Sequence, residues 1–345
     1  MTTNRPYFWL VILMFALAIA MTLSMMIGPV PISFAQFGHW LSQDERLPNH
    51  IELVLGEIRL TRTLLAALVG ASLSMSGAAI QGVFRNPLAD PGLIGVSSGA
   101  AFFAVAIIVM GDTVLAYVFE PLRFFALPLA AFLGGVSVTW IIYLIGSFSP
   151  GNRTSTMILA GIAIQSLCLS GIGLFTYMAD DAELRTLTFW TLGSFSGTQW
   201  SSIHMALPWI LVGIVALPML GKWLNVLLLG ENVAGHLGVP ISLIRKLIFV
   251  LAAMCVGASV AVSGVIGFFG LVVPHLVRLS FGPDHRWLLP YSGLFGATLM
   301  LVADLIARTV AAPAELPVGI ITALMGGPFF LWLIIRFNRG KLSFD

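Results

Sequence analysis

Charge is what this chain of 345 residues has least of. Asp, Glu, Lys and Arg make up 9% of it, against about 25% in an ordinary soluble domain. Hydrophobic residues make up 58%, and the mean hydropathy is +0.99. A water-soluble fold of this length cannot hide so much apolar side chain, so lipid has to act as solvent for much of it. Cysteine is nearly absent: Cys168 and Cys255 each sit inside an apolar run. That excludes a disulfide framework and leaves two small buried hydrophobes. No G-x-x-x-x-G-K-[ST] occurs. Gly230 and Gly235 have the glycine spacing, but His236 stands where lysine is required and no strand precedes it, so the chain has no phosphate-binding loop of its own. The six histidines show no metal-ligand spacing, and neither a metal nor a cofactor is expected. No low-complexity tract or soluble domain interrupts the chain, so residues 1–345 read as one transmembrane domain.

Long uncharged runs are plentiful. Residues 7–27, 63–84, 91–111, 124–147, 154–179 and 316–335 each approach the ~20 residues that a spanning helix needs. The first run, at 21 residues, exceeds the about 7–15 of a secretory signal core, so it reads as an uncleaved first span. Residues 186–221 are 36 without a charge, too many for one span. Gly193, Gly197 and Gln199 suit a short re-entrant or interfacial piece there, followed by a span over about 202–221. Between Lys246 and Arg278, the residues Ser263, Gly264, Gly267 and Gly270 divide the run into two helices, about 246–263 and 267–281. A further span fits 287–303. The expectation is an all-α polytopic membrane protein with about ten spans.

Basic residues support that number. With ten spans and both termini cytoplasmic, 11 of the 17 lie inside: Arg5, Arg85, Arg153, Lys222, Arg245, Lys246, Arg278, Arg286, Arg336, Arg339 and Lys341. Arg46, Arg59, Arg62, Arg123, Arg185 and Arg308 lie outside, with most of the acids, among them Asp44, Glu45, Asp112, Glu120 and Glu315. Fusing the two helices of 246–281 would leave only seven basic residues inside.

The chain also repeats itself. Residues 66–77 (AALVGASLSMSG) and 253–264 (AMCVGASVAVSG) are identical at seven of twelve positions, at an offset of 187. The copies fall in the second and seventh spans, an odd number apart, so they run in opposite directions. This is an inverted repeat with halves of about 1–180 and 181–345, and such transporters place their pathway between the halves. Locally, the shared small residues serve close helix packing.

Several ordered motifs carry a family resemblance. Arg85-Asn86-Pro87-Leu88-Ala89-Asp90-Pro91-Gly92, followed by Leu93-Ile94-Gly95-Val96-Ser97-Ser98-Gly99, closely resembles a signature of the permeases that import ferric siderophores, haem and cobalamin. These are the membrane subunits of type II ABC importers. Ile58-Arg59-Leu60-Thr61-Arg62 resembles the start of the family's second span, although the family usually has proline where Thr61 stands. The segment 230–239 is similar to its cytoplasmic coupling segment, 267–275 and 282–286 to its span-eight region, and 315–319 and 326–330 to its last span. The stretch 179–190 looks most like haem permeases, with ferric-siderophore and cobalamin permeases next.

The resemblance implies a homodimeric permease in a bacterial inner membrane. Its implied partners are two copies of a separate ATP-binding subunit and a periplasmic substrate-binding protein, with haem or another iron chelate as cargo and no nucleic acid. It implies that the chain is not itself an enzyme. Arg59, Arg62 and Arg308 would receive carboxylates of the binding protein, since arginine pairs with carboxylates in forked, orienting geometry; the alternative is snorkelling at the interface. Glu231, Ala234, Leu237 and Gly238, within a coupling segment of about 225–242, would contact the ATPase. The fifth span, with Ala160, Gly161, Ala163, Ser166, Ser170 and Gly171, would line the pathway between protomers. Arg185, at its mouth, would either hold propionates of an anionic chelate or pair locally with Asp180, Asp181 and Glu183. Asp304 is read as pairing with a neighbour or capping backbone. A secondary transporter driven by an ion gradient is the rival, disfavoured by the few ionisable residues within the spans.

Overall fold

The computed structural model describes residues 6–42, 47–114, 120–148 and 153–341. Arg5, Asp44, Glu45 and Arg46 of the charge count lie outside the described residues, as do the side chains of Asp112, Glu120, Arg123, Arg153, Arg336, Arg339 and Lys341. Among the described residues there is no strand. The chain runs α1 (Pro6–Met26), α2 (Phe34–Leu41), α3 (Asn49–Leu53), a π-helical segment (Val54–Arg59), α4 (Leu60–Phe84), a 3-10 turn (Pro91–Ile94), α5 (Val96–Val114), α6 (Glu120–Ser147), α7 (Arg153–Met178) and α8 (Asp181–Thr191). It continues through α9 (Trp200–Met219), α10 (Gly221–Leu228), α11 (Glu231–His236), α12 (Ile241–Ser263), α13 (Phe269–Phe281), α14 (His285–Val310) and α15 (Val318–Lys341).

Among the described residues, seven helical stretches are long and apolar enough to cross a membrane, and three shorter apolar ones, in α5, α13 and α15, bring the number of apolar stretches to ten. The second is longer than the run of residues 63–84: helix is continuous from Asn49 to Phe84, because the π-helical turn passes the chain into α4 without a break. The ninth extends beyond 287–303 to His285–Val310, with the Asp284 side chain accepting from the Arg286 amide at its start.

Helix α4 is the axis of the bundle: 20 of its 25 residues are buried, whereas along residues 155–178 of α7 only Met157, Gly161 and Cys168 are. It packs on α1, α9, α12, α13 and α14. Glycine makes the closest approach possible. A Cβ on Gly70 would lie 2.5 Å from the Gly296 carbonyl oxygen, and one on Gly77 would overlap the Gly270 carbonyl. Small residues at such crossings let backbones meet where lipid supplies no hydrophobic drive between helices.

The two repeat copies lie against one another. Phe84 meets Phe249 while Ser72 meets Ser259, so α4 and α12 run antiparallel, as an inverted repeat requires. The Ser259 and Ser72 hydroxyls are 3.1 Å apart, and these two residues are separated by the repeat offset of 187.

The break between α12 and α13 exposes main-chain groups at mid-bundle. Gly264 adopts φ +69° and Phe268 φ 63°. The Ser194 amide donates to the Ser263 carbonyl at 2.8 Å, and the Gly193 main chain lies against Gly264. Irregular backbone at this depth is tolerated only where protein covers it. The piece expected to be re-entrant therefore resolves into a helix, α8, and a turn at 192–199 that covers the break.

Candidate functional site

Two ends and one flank carry the residues singled out in the sequence. At one end the three arginines converge, but below the surface. Arg59 closes the π-helical segment, and its Nη1 donates to the Met25 and Met26 carbonyls at 2.7 Å each, while Nη2 reaches the Val30 carbonyl. The guanidinium thus sits on the C-terminus of α1, where the last carbonyls have no helical partner and a cation is favoured. Arg62 is clamped by Asp304, with Nε at 3.0 Å from Oδ2 and Nη2 at 2.8 Å from Oδ1, and its Nη1 donates to Glu315 Oε2 at 2.8 Å. Arg308 donates to the Ser24 carbonyl at 2.7 Å and hydroxyl at 2.9 Å, and its Nε lies 3.8 Å from Asp304. The Ser24 hydroxyl in turn lies 2.8 Å from that of Thr63. All three arginines and Asp304 are buried; Glu315 is the partly exposed member.

One network therefore ties α1, α4, α14 and the chain before α15. Asp304 belongs to it as the partner of Arg62, which settles its pairing. Sequence reasoning placed Asp304 and the arginines separately; the i, i+4 spacing of Asp304 and Arg308 was the signal that could have joined them. Thr61, standing where the family usually has proline, donates its hydroxyl to the Glu57 carbonyl at 2.6 Å, within the turn where the helix changes its period. A cavity of about 640 Å³ opens beside the network, lined by Glu57, Arg62, Phe195, Thr198, Trp200 and Ser201.

At the opposite end, near Arg85, the segment of about 225–242 runs from within α10 to the start of α12 and takes in two short helices, the end of α10 and the whole of α11. Gly230, at φ +104°, turns the chain between them. Glu231 accepts from Arg245 Nη2 at 2.6 Å, which fastens α11 to the start of α12. Ala234 is fully buried and seats the helix, whereas Val233 and Leu237, one turn apart, are 46% and 61% exposed. Gly238 ends the segment at φ +77°. The four residues expected from the sequence to contact the ATPase thus divide: Glu231 and Ala234 anchor α11, Leu237 faces outward, and Gly238 turns the chain.

On the flank, among the described residues, α7 packs chiefly on α5, α6 and the 3-10 turn. Ala163, Ser166 and Ser170 are exposed and Ala160 is half-buried. The hydroxyls of Ser166 and Ser170 return to the carbonyls of Ile162 and Ser166 at 3.0 and 2.9 Å, so the exposed face is effectively apolar. Arg185 projects from α8 and is exposed. The local ion pair weighed for it does not form among the described residues, and two of the three acids are used otherwise. Asp180 and Glu183 form a reciprocal cap at the start of α8, the Glu183 amide donating to Asp180 at 2.8 Å and the Asp180 amide to Glu183 at 2.9 Å.

Comparison with known proteins places this architecture. The chain is 44% identical over 333 residues to the hemin transport system permease protein HmuU of Yersinia pestis, covering 96% of each chain. It is 43% identical over 288 residues to the cobalamin import system permease protein BtuC of Halobacterium salinarum, covering 84% of this chain and 75% of that one. A solved metal-chelate type ABC transporter in an inward-facing conformation superposes with a TM-score of 0.83 at 34% identity, over 95% of this chain and 98% of that one. Residues 16–336 match the FecCD transport family, to which this chain belongs.

Proposed function

We propose that the chain is the membrane-spanning subunit of an ATP-driven importer for haem. Two copies enclose the pathway along α7, two separate ATPase subunits seat on α11, and a soluble binding protein delivers cargo at the arginine end. The observation that carries this reading is α7 itself: a long apolar helix left open, with Leu159, Leu167, Leu174 and Tyr177 exposed alongside Ala163, Ser166 and Ser170, beside an unpaired arginine. A second copy of the chain would cover that face, and Arg185 suits the carboxylates of a haem edge. The absence of a phosphate-binding loop in the sequence assigns ATP hydrolysis to the partner.

Cobalamin is the second reading, favoured by the 43% identity to a cobalamin permease. Reconstitution with the ATPase and binding protein separates the two. ATP-dependent accumulation of haem in proteoliposomes is expected, falling at least several-fold for Arg185→Ala. Uptake driven by an ion gradient without the ATPase, or uptake of cobalamin in preference to haem, would overturn the reading.

A further inference from the structure

Although α4 is the most buried span, one stripe of it is uncovered. Leu64, Ala67, Leu68 and Ala71, spaced i, i+3, i+4 and i+7 on one face, are only partly buried. They form the floor of a groove between α1 and α9, walled by Leu17 and Ile214, with a cavity volume of about 400 Å³. It continues past Met75 to Pro218 on α9 and Pro290 on α14. From Leu64 to Met75 alone the floor runs about 16 Å at ~1.5 Å per residue, roughly the depth of one leaflet of a ~30 Å hydrocarbon core. No charged side chain lines it.

One end of this groove is different in kind. One turn beyond Pro218 stands Lys222, and one turn before Pro290 stands Arg286. These two turns are in backbone contact: a Cβ on Gly221 would lie 2.8 Å from the His285 carbonyl oxygen and 3.0 Å from the Arg286 Cα. Lys222 is exposed, its Nζ 4.7 Å from the Trp223 ring centre, and makes no ion pair among the described residues. Arg286 is held by Asp284 at 2.6 Å, which fixes its place but leaves much of it exposed. Tyr7 and Trp287 pack edge to face beside them, at 5.2 Å between ring centres. An apolar slot of acyl-chain length thus ends in one unpaired cation, Lys222, a second already paired with Asp284, and an aromatic rim at interfacial depth. Aromatic residues and Lys or Arg mark that depth in membrane proteins and attract anionic headgroups.

We propose that this groove is a binding site for one anionic phospholipid, its acyl chain lying on Leu64, Leu68 and Ala71 and its phosphate at Lys222 and Arg286. The bound chain completes the packing around α4 and joins α1 to α9.

The test uses the full chain in nanodiscs containing phosphatidylglycerol whose acyl chain carries a diazirine. After photolysis and proteolysis, labelling is expected to concentrate on Leu64, Leu68, Ile214 and Leu294; labelling spread evenly around the lipid-facing perimeter would overturn the site. Native mass spectrometry of detergent-extracted protein is the second arm. Phosphatidylglycerol adducts should exceed phosphatidylcholine adducts for the wild type, and Lys222→Glu should reduce that preference roughly five-fold or more. Five-fold corresponds to the ~1 kcal/mol that one Lys contributes near an anionic surface, at ~1.4 kcal/mol per decade. Ala71→Phe should remove adducts of both lipids, whereas Val11→Phe, on the outward face of α1, should leave them unchanged. Equal adducts for the two lipids, or wild-type adducts in both Lys222→Glu and Ala71→Phe, would show annular lipid only.

Discussion

At the scale of single residues, the arginine network has a structural role that the sequence alone did not separate from the docking role expected of it. Arg59 and Arg62 were legible as a pair on one helix face, because i, i+3 spacing fixes that much. Their depth was not legible, since Arg59 is buried against the Met25, Met26 and Val30 carbonyls at the end of α1, and Arg62 against Asp304 and Glu315, more than two hundred positions away. Burial makes Asp304 structurally costly to lose. Asp304→Ala strips the carboxylate from Arg62, and breaking a buried pair costs about 3–5 kcal/mol. A marked fall in the unfolding temperature of the detergent-purified protein is the expected outcome, while an unchanged midpoint would show the pair to be dispensable. Glu315 differs, being 31% exposed. Glu315→Gln should change stability by less than about 1 kcal/mol, yet it frees one edge of Arg62 and raises the local positive charge. If acidic groups of a binding protein dock here, that variant should bind its partner more tightly, with a steeper salt dependence. Unchanged affinity would mean that Arg62 serves only the fold.

At the scale of elements, periodicity and glycine placement revealed the spans and the break after Ser263, but not how the break is covered. The turn after α8 was readable as irregular from Gly193 and Gly197; that its main chain meets Gly264 is a tertiary fact. The π-helical turn before Arg59 was not readable either, since no residue type marks it. Helix α11 illustrates the same division. Its glycine boundaries stand in the sequence, while the partition of its residues into anchors and outward-facing side chains follows from burial. The double variant Val233→Asp with Leu237→Asp should insert normally and lose the ATPase in co-purification. Burying a side chain of this kind contributes about 1.5–3 kcal/mol, so a more than ten-fold weakening is expected. Undiminished co-purification would place the contact elsewhere.

At the scale of the whole molecule, the seven helices long and apolar enough to cross a membrane and the three shorter apolar ones among the described residues fit the ten-span expectation, under which both termini would lie on one side. A reporter fused after Arg339 should be active only in its cytoplasmic form, and activity of a periplasmic form there would refute the orientation. The number of spans was legible because hydropathy is additive along a chain. The centrality of α4 was not, because its hydropathy resembles that of its neighbours and only packing distinguishes it. The contact of Ser72 with Ser259 has one more consequence. Two equivalent residues that touch must lie next to the axis relating the halves, and a point on an axis is its own image. If the halves were to exchange conformations, contacts far from the axis would be remade, while the Ser72–Ser259 pair would map onto the same two residues with donor and acceptor swapped. On that account the pair would serve as a fulcrum rather than a latch: a place where the two arms could turn past each other while a buried hydroxyl pair never has to part.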